Sequence, residues 1–314
     1  MKNVWLIGTG LIGMEYSKVL DALHIQHLII GRGEISAAKF EETRPGKKVI
    51  RGGLDIFLKT NPSIPDYAIV AVGLPDLYPV ACSLINYGIK KIFLEKPGGD
   101  SFEQIEQLYL TSKRENVSIF IAYNRRFYSS VLKAEEIIKK DGGITSFSFE
   151  FTEWLHIFDN LNHKLSLEEI FIGNSTHVLD TAFFLGGEPV QIHCHSKTLE
   201  GDMSPKIFVG AGISNQGALF SYQANWDAPG RWVIEILTKK HRLYFKPMET
   251  LQIQELRSVK VLPVDIDDHL DKEFKPGFFL ETKAFLNEDY SRLCSIEQHV
   301  NHINNIYKKV FFSN

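Results

Sequence analysis

Long hydrophobic runs, paired cysteines and a dominant charge are all missing from this chain, and each absence excludes something. No stretch approaches the roughly 18 uninterrupted apolar residues that a membrane-spanning helix requires. The longest runs, such as Tyr67–Gly73, are the size of a strand. The first run, Val4–Ile7, breaks at once into Gly8-Thr9-Gly10 and cannot serve as the apolar core of a secretory leader. Cysteine occurs only at Cys82, Cys194 and Cys294, an odd number, far apart and without a Cys-x-x-Cys pair. That pattern excludes a disulfide framework and a zinc site; no metal is expected, and free thiols fit a reducing cytoplasm. The net charge of −3, from 35 basic and 38 acidic side chains, gives no global attraction for nucleic acid or an acidic membrane. What is present is 44% apolar content over 314 residues. That is too apolar for a disordered chain and too long for a single small core, so two domains are expected.

The two halves have different grammars. Up to about residue 123, short and continuously apolar runs (Val4–Ile7, His27–Ile30, Ala68–Val72, Ile92–Leu94, Ser118–Ala122) alternate with amphipathic segments. Continuous apolar runs mark parallel strands buried on both faces, and the alternation with helices marks a doubly wound α/β sheet. After about residue 143 the period becomes two, as in Ser146-Phe-Ser-Phe-Glu-Phe151, and turn residues separate successive strand-like runs up to Glu255. This predicts an open, mainly antiparallel sheet, interrupted by a helix over Ser175–Leu185. Helices over Gly277–Leu286 and Ser295–Phe311 close the chain. The expected division is 1–123 for a Rossmann domain and 124–314 for a second α/β domain, with a C-terminal helix able to pack back on the first.

Gly8-Thr9-Gly10-Leu11-Ile12-Gly13 follows the first strand and opens the first helix. Gly8 permits the tight turn, Gly10 lets backbone approach a pyrophosphate, and Gly13 lets helix pack on strand. The helix N-terminus offers unpaired N–H groups to the phosphates. The second strand ends in Gly31-Arg32-Gly33 with no carboxylate at its tip. An acidic residue there would bind a ribose 2′-hydroxyl and repel a 2′-phosphate, whereas arginine can hold the phosphate. The cofactor expectation is therefore NADP or NAD, with the balance toward NADP. An Arg32 stacked on adenine would serve either.

Glu95-Lys96-Pro97 follows the fifth strand, whose carboxyl end faces the ligand crevice of such a sheet. A lysine there can stabilise charge on a reacting oxygen, and Glu95 can orient it. Together with the Gly8–Gly13 turn, Ala68-Ile-Val-Ala-Val-Gly-Leu-Pro75, Asn124-Arg-Arg-Phe127 and His177–Asp180 before Gly186-Gly187, this order of motifs resembles the Gfo/Idh/MocA oxidoreductases over essentially the whole chain. The resemblance implies hydride transfer to or from a secondary alcohol or ketone of a sugar, with a branch flavour of bacterial surface-sugar biosynthesis. It implies Lys96 and His177 as catalytic residues, His177 as acid/base with an imidazole suited to that task. Around the cofactor it implies Gly73, Leu74, Pro75, Tyr78, Glu95, Lys96 and Asn124 beside the glycine turn, Gly31 and Arg32.

Lys96, Asn124, Trp154, Asn174 and His177 are the implied substrate contacts. Two departures stand out: the family often has a carboxylate four residues before the histidine, where this chain has Gly173, and Tyr78 stands where a histidine is common. Asp180 reads as an orienting or structural carboxylate. One of Arg125 and Arg126 should pair within the fold and the other reach substrate. Trp154, His156, Trp226 and Arg231 are candidate pocket residues, basic groups there suiting a carboxylate or phosphate. A silent NAD(P)-sensing regulator and a reductase of non-sugar carbonyls are the competing readings. An open sheet usually buries its free face against a partner, so a homodimer or homotetramer is expected.

Overall fold

A computed structural model describes residues 2–158 and 165–313. The chain divides into two compact units. The first runs to Asn124 and takes back Leu270–Val300. Its strands are β1 (Val4–Ile7), β2 (His27–Ile30), β3 (Val49–Ile50), β4 (Tyr67–Val70), β5 (Lys91–Leu94) and β6 (Ser118–Ile121). They pair in parallel in the spatial order 3-2-1-4-5-6. Every residue of β1 and β4 is buried, as expected of strands covered by helices on both faces. Those helices are α1 (Leu11–Ala22), α2 (Glu34–Thr43), α3 (Leu54–Leu58), α4 (Leu74–Tyr87) and α5 (Phe102–Arg114). Local chemistry sets their ends. Ser101 caps α5 by accepting the Gln104 N–H, with Glu103 in the first turn and Lys113 and Arg114 in the last, each sign opposing the helix dipole. Helix α4 ends at Gly88, in the left-handed region at φ 105°.

The second unit, Arg125–His269 and the chain from Asn301 on, is built on a sheet of eight strands. A 3₁₀ turn at Asn124–Phe127 leads into α6 (Ser129–Asp141) and β7 (Ile144–Glu150). Then come α7 (Leu167–Ile170), a π-helical turn Phe171–Ser175 and α8 (Thr176–Gly186). The remaining strands are β8 (Pro189–Lys197), β9 (Ile207–Ser214), β10 (Leu219–Asn225), β11 (Val233–Thr238), β12 (His241–Phe245), β13 (Gln252–Glu255) and β14 (Val261–Pro263). Their order is 14-13-12-11-7-10-9-8. All pairs are antiparallel except β7 with β10, which run parallel and set Phe147 beside Phe220 and Phe149 beside Tyr222. One face is an aromatic core. Phe183 of α8 meets Phe147 and Phe220 edge-on, at 5.9 and 5.2 Å between ring centres. Phe147, Phe149 and Phe151 are thus buried within the chain. The opposite face carries Val209, Ile213 and Leu219, all exposed.

The chain then returns to the first unit. Helices α9 (His269–Glu273) and α10 (Phe278–Leu286) precede β15 (Cys294–Ser295), which pairs antiparallel with β6. Phe278 packs on Tyr16 (4.8 Å), Phe285 stacks on Phe93 (4.9 Å) and Tyr290 on Phe120 (4.3 Å). Finally α11 (Ile296–His302), a π-helical turn Ile303–Tyr307 and α12 (Lys308–Phe311) complete the chain, with Phe311 against Phe171 of the second unit. The single helix expected over 295–311 is therefore interrupted by this turn. The expected second domain of 124–314 loses 270–300, because α10 carries an aromatic face that covers the first sheet. Among the described residues no helix is long and apolar enough to cross a membrane.

Candidate functional site

A cleft of about 470 Å³ opens at the carboxyl ends of β1, β2 and β4. It lies where the strand order reverses, the position at which an open α/β sheet receives its ligand. Gly8, Thr9, Gly10, Arg32, Gly73 and Asp76 are among its walls. A Cβ on Gly8 would sit 2.1 Å from the Ala71 carbonyl oxygen, and one on Gly13 would sit 2.1 Å from that of Gly8. These two glycines let β4 and α1 close onto the turn. Gly10 is the opposite case: a Cβ there would meet nothing within 4 Å. As N-cap of α1 it makes no side-chain capping bond. Open space over uncapped amides at a positive helix end is what a pyrophosphate needs, so these residues fit a dinucleotide.

The other assigned positions divide. Gly31 is a packing residue, since a Cβ would lie 2.7 Å from Thr9 Cγ2. Leu11, Ile12, Leu74, Pro75 and Tyr78 do not line the cleft. The Tyr78 hydroxyl is engaged with Cys82, and burial raises its pKa. Arg32 makes a two-pronged ion pair with Asp76, at 2.9 and 2.8 Å. A carboxylate from the first turn of α4 thus stands beside the tip of β2.

Directly after β5, Glu95 Oε1 accepts a hydrogen bond from the Tyr16 hydroxyl at 2.8 Å, and Tyr16 lies 3.4 Å from Glu281 Oε1. Burial pushes the Glu95 pKa up, with Lys96 opposing it. Burial pushes Glu281 well up, and the Glu95 charge adds to it. Tyr16 rises well above the ordinary phenol value by burial, then by both carboxylates. A phenol and two desolvated carboxylates thus stand in a row, each pushed toward its neutral form. Asn124 is tied back by Nδ2 donating to the Pro276 carbonyl at 3.0 Å. His299 Nε2 lies 3.0 Å from the Pro97 carbonyl; a carbonyl only accepts, so Nε2 carries the proton.

In the second unit His177 is buried in the first turn of α8, its ring centre 6.2 Å from that of Trp232. A carboxylate reaches the turn beside Gly173 from another element. Glu153, just beyond β7 and 1% exposed, accepts from Ser175 Oγ at 2.6 Å, Asn174 Nδ2 at 2.7 Å and Trp232 Nε1 at 3.2 Å. Burial raises its pKa against those bonds. Holding Asn174 by Nδ2 leaves its Oδ1 as an acceptor for a hydroxyl. The π-helical turn Phe171–Ser175 is what brings both residues to Glu153 just ahead of His177.

Of the adjacent arginines, Arg126 is the one paired within the fold: it is buried and binds Asp180 at 2.8 and 2.6 Å. Asp180 is fully buried in that ion pair. Arg125 instead lies over Trp232 at 4.6 Å, and Arg231 lies over Trp232 at 4.3 Å and Trp154 at 4.8 Å. Trp154 is 46% exposed, with Nε1 donating to the Gly230 carbonyl. Trp226 is buried against Phe208 and belongs to the core. Sequence reasoning missed Asp76, Tyr16, Glu281, Glu153 and Trp232 as partners. For Glu153 there was a signal: a carboxylate set between the aromatic residues Phe151 and Trp154 just past the alternating run.

No protein-family model matches the chain, and no curated protein is similar to it in sequence. Solved structures are similar to it in fold. UDP-N-acetylglucosamine 3-dehydrogenase GnnA from Acidithiobacillus ferrooxidans superposes with a TM-score of 0.70 at 14% identity, covering 98% of this chain and 97% of its own. Levoglucosan dehydrogenase in complex with NADH gives 0.75 at 18% identity, over 98% and 96%. WlbA dehydrogenase from Chromobacterium violaceum, in complex with NADH and UDP-GlcNAcA, gives 0.69 at 14% identity, over 96% and 90%. These likenesses establish the fold, a Rossmann sheet with a second, mainly antiparallel sheet.

Proposed function

We propose that the chain is an NAD(P)-dependent oxidoreductase acting on a secondary alcohol or ketone of a sugar or sugar derivative, as the Gfo/Idh/MocA resemblance implies. The observation that carries this is the open space over Gly10 at an uncapped helix N-terminus, within a cleft at the strand-order switch. The similarity in fold to sugar dehydrogenases that bind NADH supports it. In this reading Gly8, Thr9, Gly10, Gly73 and the first turn of α1 hold the cofactor, which when bound supplies or accepts the hydride. Lys96 donates a hydrogen bond to the reacting oxygen and stabilises its charge. Glu95 orients Lys96, and Asn174 Oδ1 accepts from a neighbouring hydroxyl. His177 gives or takes the hydroxyl proton. The same reading places the protein in the cytoplasm, where Cys82, Cys194 and Cys294 stay free thiols. It also pairs copies through the exposed face of the eight-stranded sheet.

The experiment is a nicotinamide absorbance assay over sugars, sugar acids and nucleotide sugars. Lys96→Ala and His177→Ala are each expected to lower kcat by about 10²–10⁴-fold while NADH binding persists. Turnover unchanged in both variants overturns the assignment. Cofactor binding with no turnover on any substrate, and a co-purifying protein partner, would favour the regulator reading.

A further inference from the structure

The second unit holds two guanidinium groups on one indole. Arg125 and Arg231 lie 4.6 and 4.3 Å from the centre of Trp232. Arg231 has one acidic contact, at 3.4 Å to Glu153. That carboxylate already accepts from Ser175, Asn174 and Trp232 and is held toward its neutral form by burial. The Arg125 guanidinium stacks on Trp232 and Tyr128 and makes no hydrogen bond or ion pair with any described residue; its Nε is shielded from solvent. The next cation along the chain, Arg126, is neutralised by Asp180. Glu249, which acts on Arg125 only at longer range, is exposed. The cluster therefore carries an excess of positive charge with unused donors.

Leaving a desolvated guanidinium without acceptors is costly, and its fork of N–H groups matches a carboxylate or phosphate edge. We infer that Arg125 and Arg231, flanking Trp232, form an oxyanion subsite, so that the substrate is an anionic sugar bearing a carboxylate or a phosphate ester. This rests on the reading of the second unit as the sugar-binding part. Trp232 supplies a flat apolar wall beside the oxyanion, and Arg231 bridges it to Trp154.

The test is calorimetric titration of the full-length protein, preloaded with NADH, with glucose, glucuronate, glucose 6-phosphate and UDP-glucuronate. At least one anionic probe is expected to bind about tenfold or more tightly than glucose, less so as salt rises. Preference for glucuronate over glucose 6-phosphate assigns the oxyanion as a carboxylate; the reverse order assigns a phosphate. Arg231→Gln and Arg125→Gln are each expected to weaken the anionic probe by about tenfold and glucose by less than about twofold. Arg125→Lys, which keeps the charge but loses the fork, falls between. Should Arg125→Gln unfold in a thermal melt, the half-buried Arg231→Gln and the salt dependence decide alone. Anionic probes that bind no better than glucose, or unchanged anion affinity in Arg231→Gln, overturn the subsite. Anion binding without hydride transfer sinks the oxidoreductase reading and leaves the subsite standing. Hydride transfer to a neutral sugar with no anion preference does the reverse.

Discussion

At the residue scale, the side chains that matter are held by partners distant in sequence. Arg32 is the residue suited to a 2′-phosphate, yet its fork is occupied by Asp76. A phosphate would have to displace a carboxylate, and the carboxylate itself would repel it. Asp76→Asn is therefore expected to lower KM for NADPH by about tenfold while changing KM for NADH little, and Arg32→Ala to shift the ratio the other way. An NADPH/NADH ratio unmoved by both substitutions would show that neither residue reads the ribose. Glu281 makes a second prediction. Burial raises its folded pKa above the roughly 4.3 of an unfolded glutamate, so its charging destabilises the folded state. The native advantage is complete below that pH and is lost as pH rises through the folded value. Glu281→Gln should match the wild type near pH 4 and exceed it in Tm by about 2 °C or more at pH 8. A difference in Tm that does not vary with pH refutes the raised Glu281 pKa.

At the element scale, what could be read in advance was local. The glycine turn with its flanking strand and helix, Glu95-Lys96-Pro97 after β5, and His177 on α8 are motifs that each span only a short local stretch of chain. Glu153, Asp76 and Glu281 were not legible as partners, because sheet order and a π-helical turn decide which distant segments meet. The two-residue β15 is too short to carry any period, and the parallel β7–β10 pair leaves no mark on an alternating pattern. Helix α8 itself depends on a close approach: a Cβ on Gly186 would lie 2.3 Å from the ring of Phe147. That ring is enclosed by Phe149, Phe183 and Phe220 and has nowhere to go. Gly186→Ala is expected to cost about 1–3 kcal/mol by overpacking, seen in denaturant unfolding, with KM nearly unchanged. A stability loss under about 0.5 kcal/mol would mean that the sheet yields more than this packing implies.

At the scale of the whole molecule, the first unit is discontinuous in sequence. Its sheet is closed by β15, and its aromatic side groups Tyr16, Tyr67, Phe93 and Phe120 are covered by Phe278, Phe285 and Tyr290. Burial of a phenylalanine contributes about 1.5–3 kcal/mol, so the two on α10 supply a large share of a typical net stability of about 5–15 kcal/mol. A fragment of residues 1–124 is therefore expected to lack cooperative unfolding and to bind the hydrophobic dye ANS. A fragment that melts sharply and binds NADH unaided would show the return to be dispensable.

That return also sets an order in time. A chain made at about 5–20 residues per second emerges with its glycine turn first and Glu281 on α10 roughly fifteen to fifty-five seconds later. The part of the protein written first thus stays incomplete until Val300 has been made. Until then Glu95 lacks its acidic neighbour, and the nascent N-terminal sheet presents bare aromatic rings to whatever chaperones the exit of the ribosome holds.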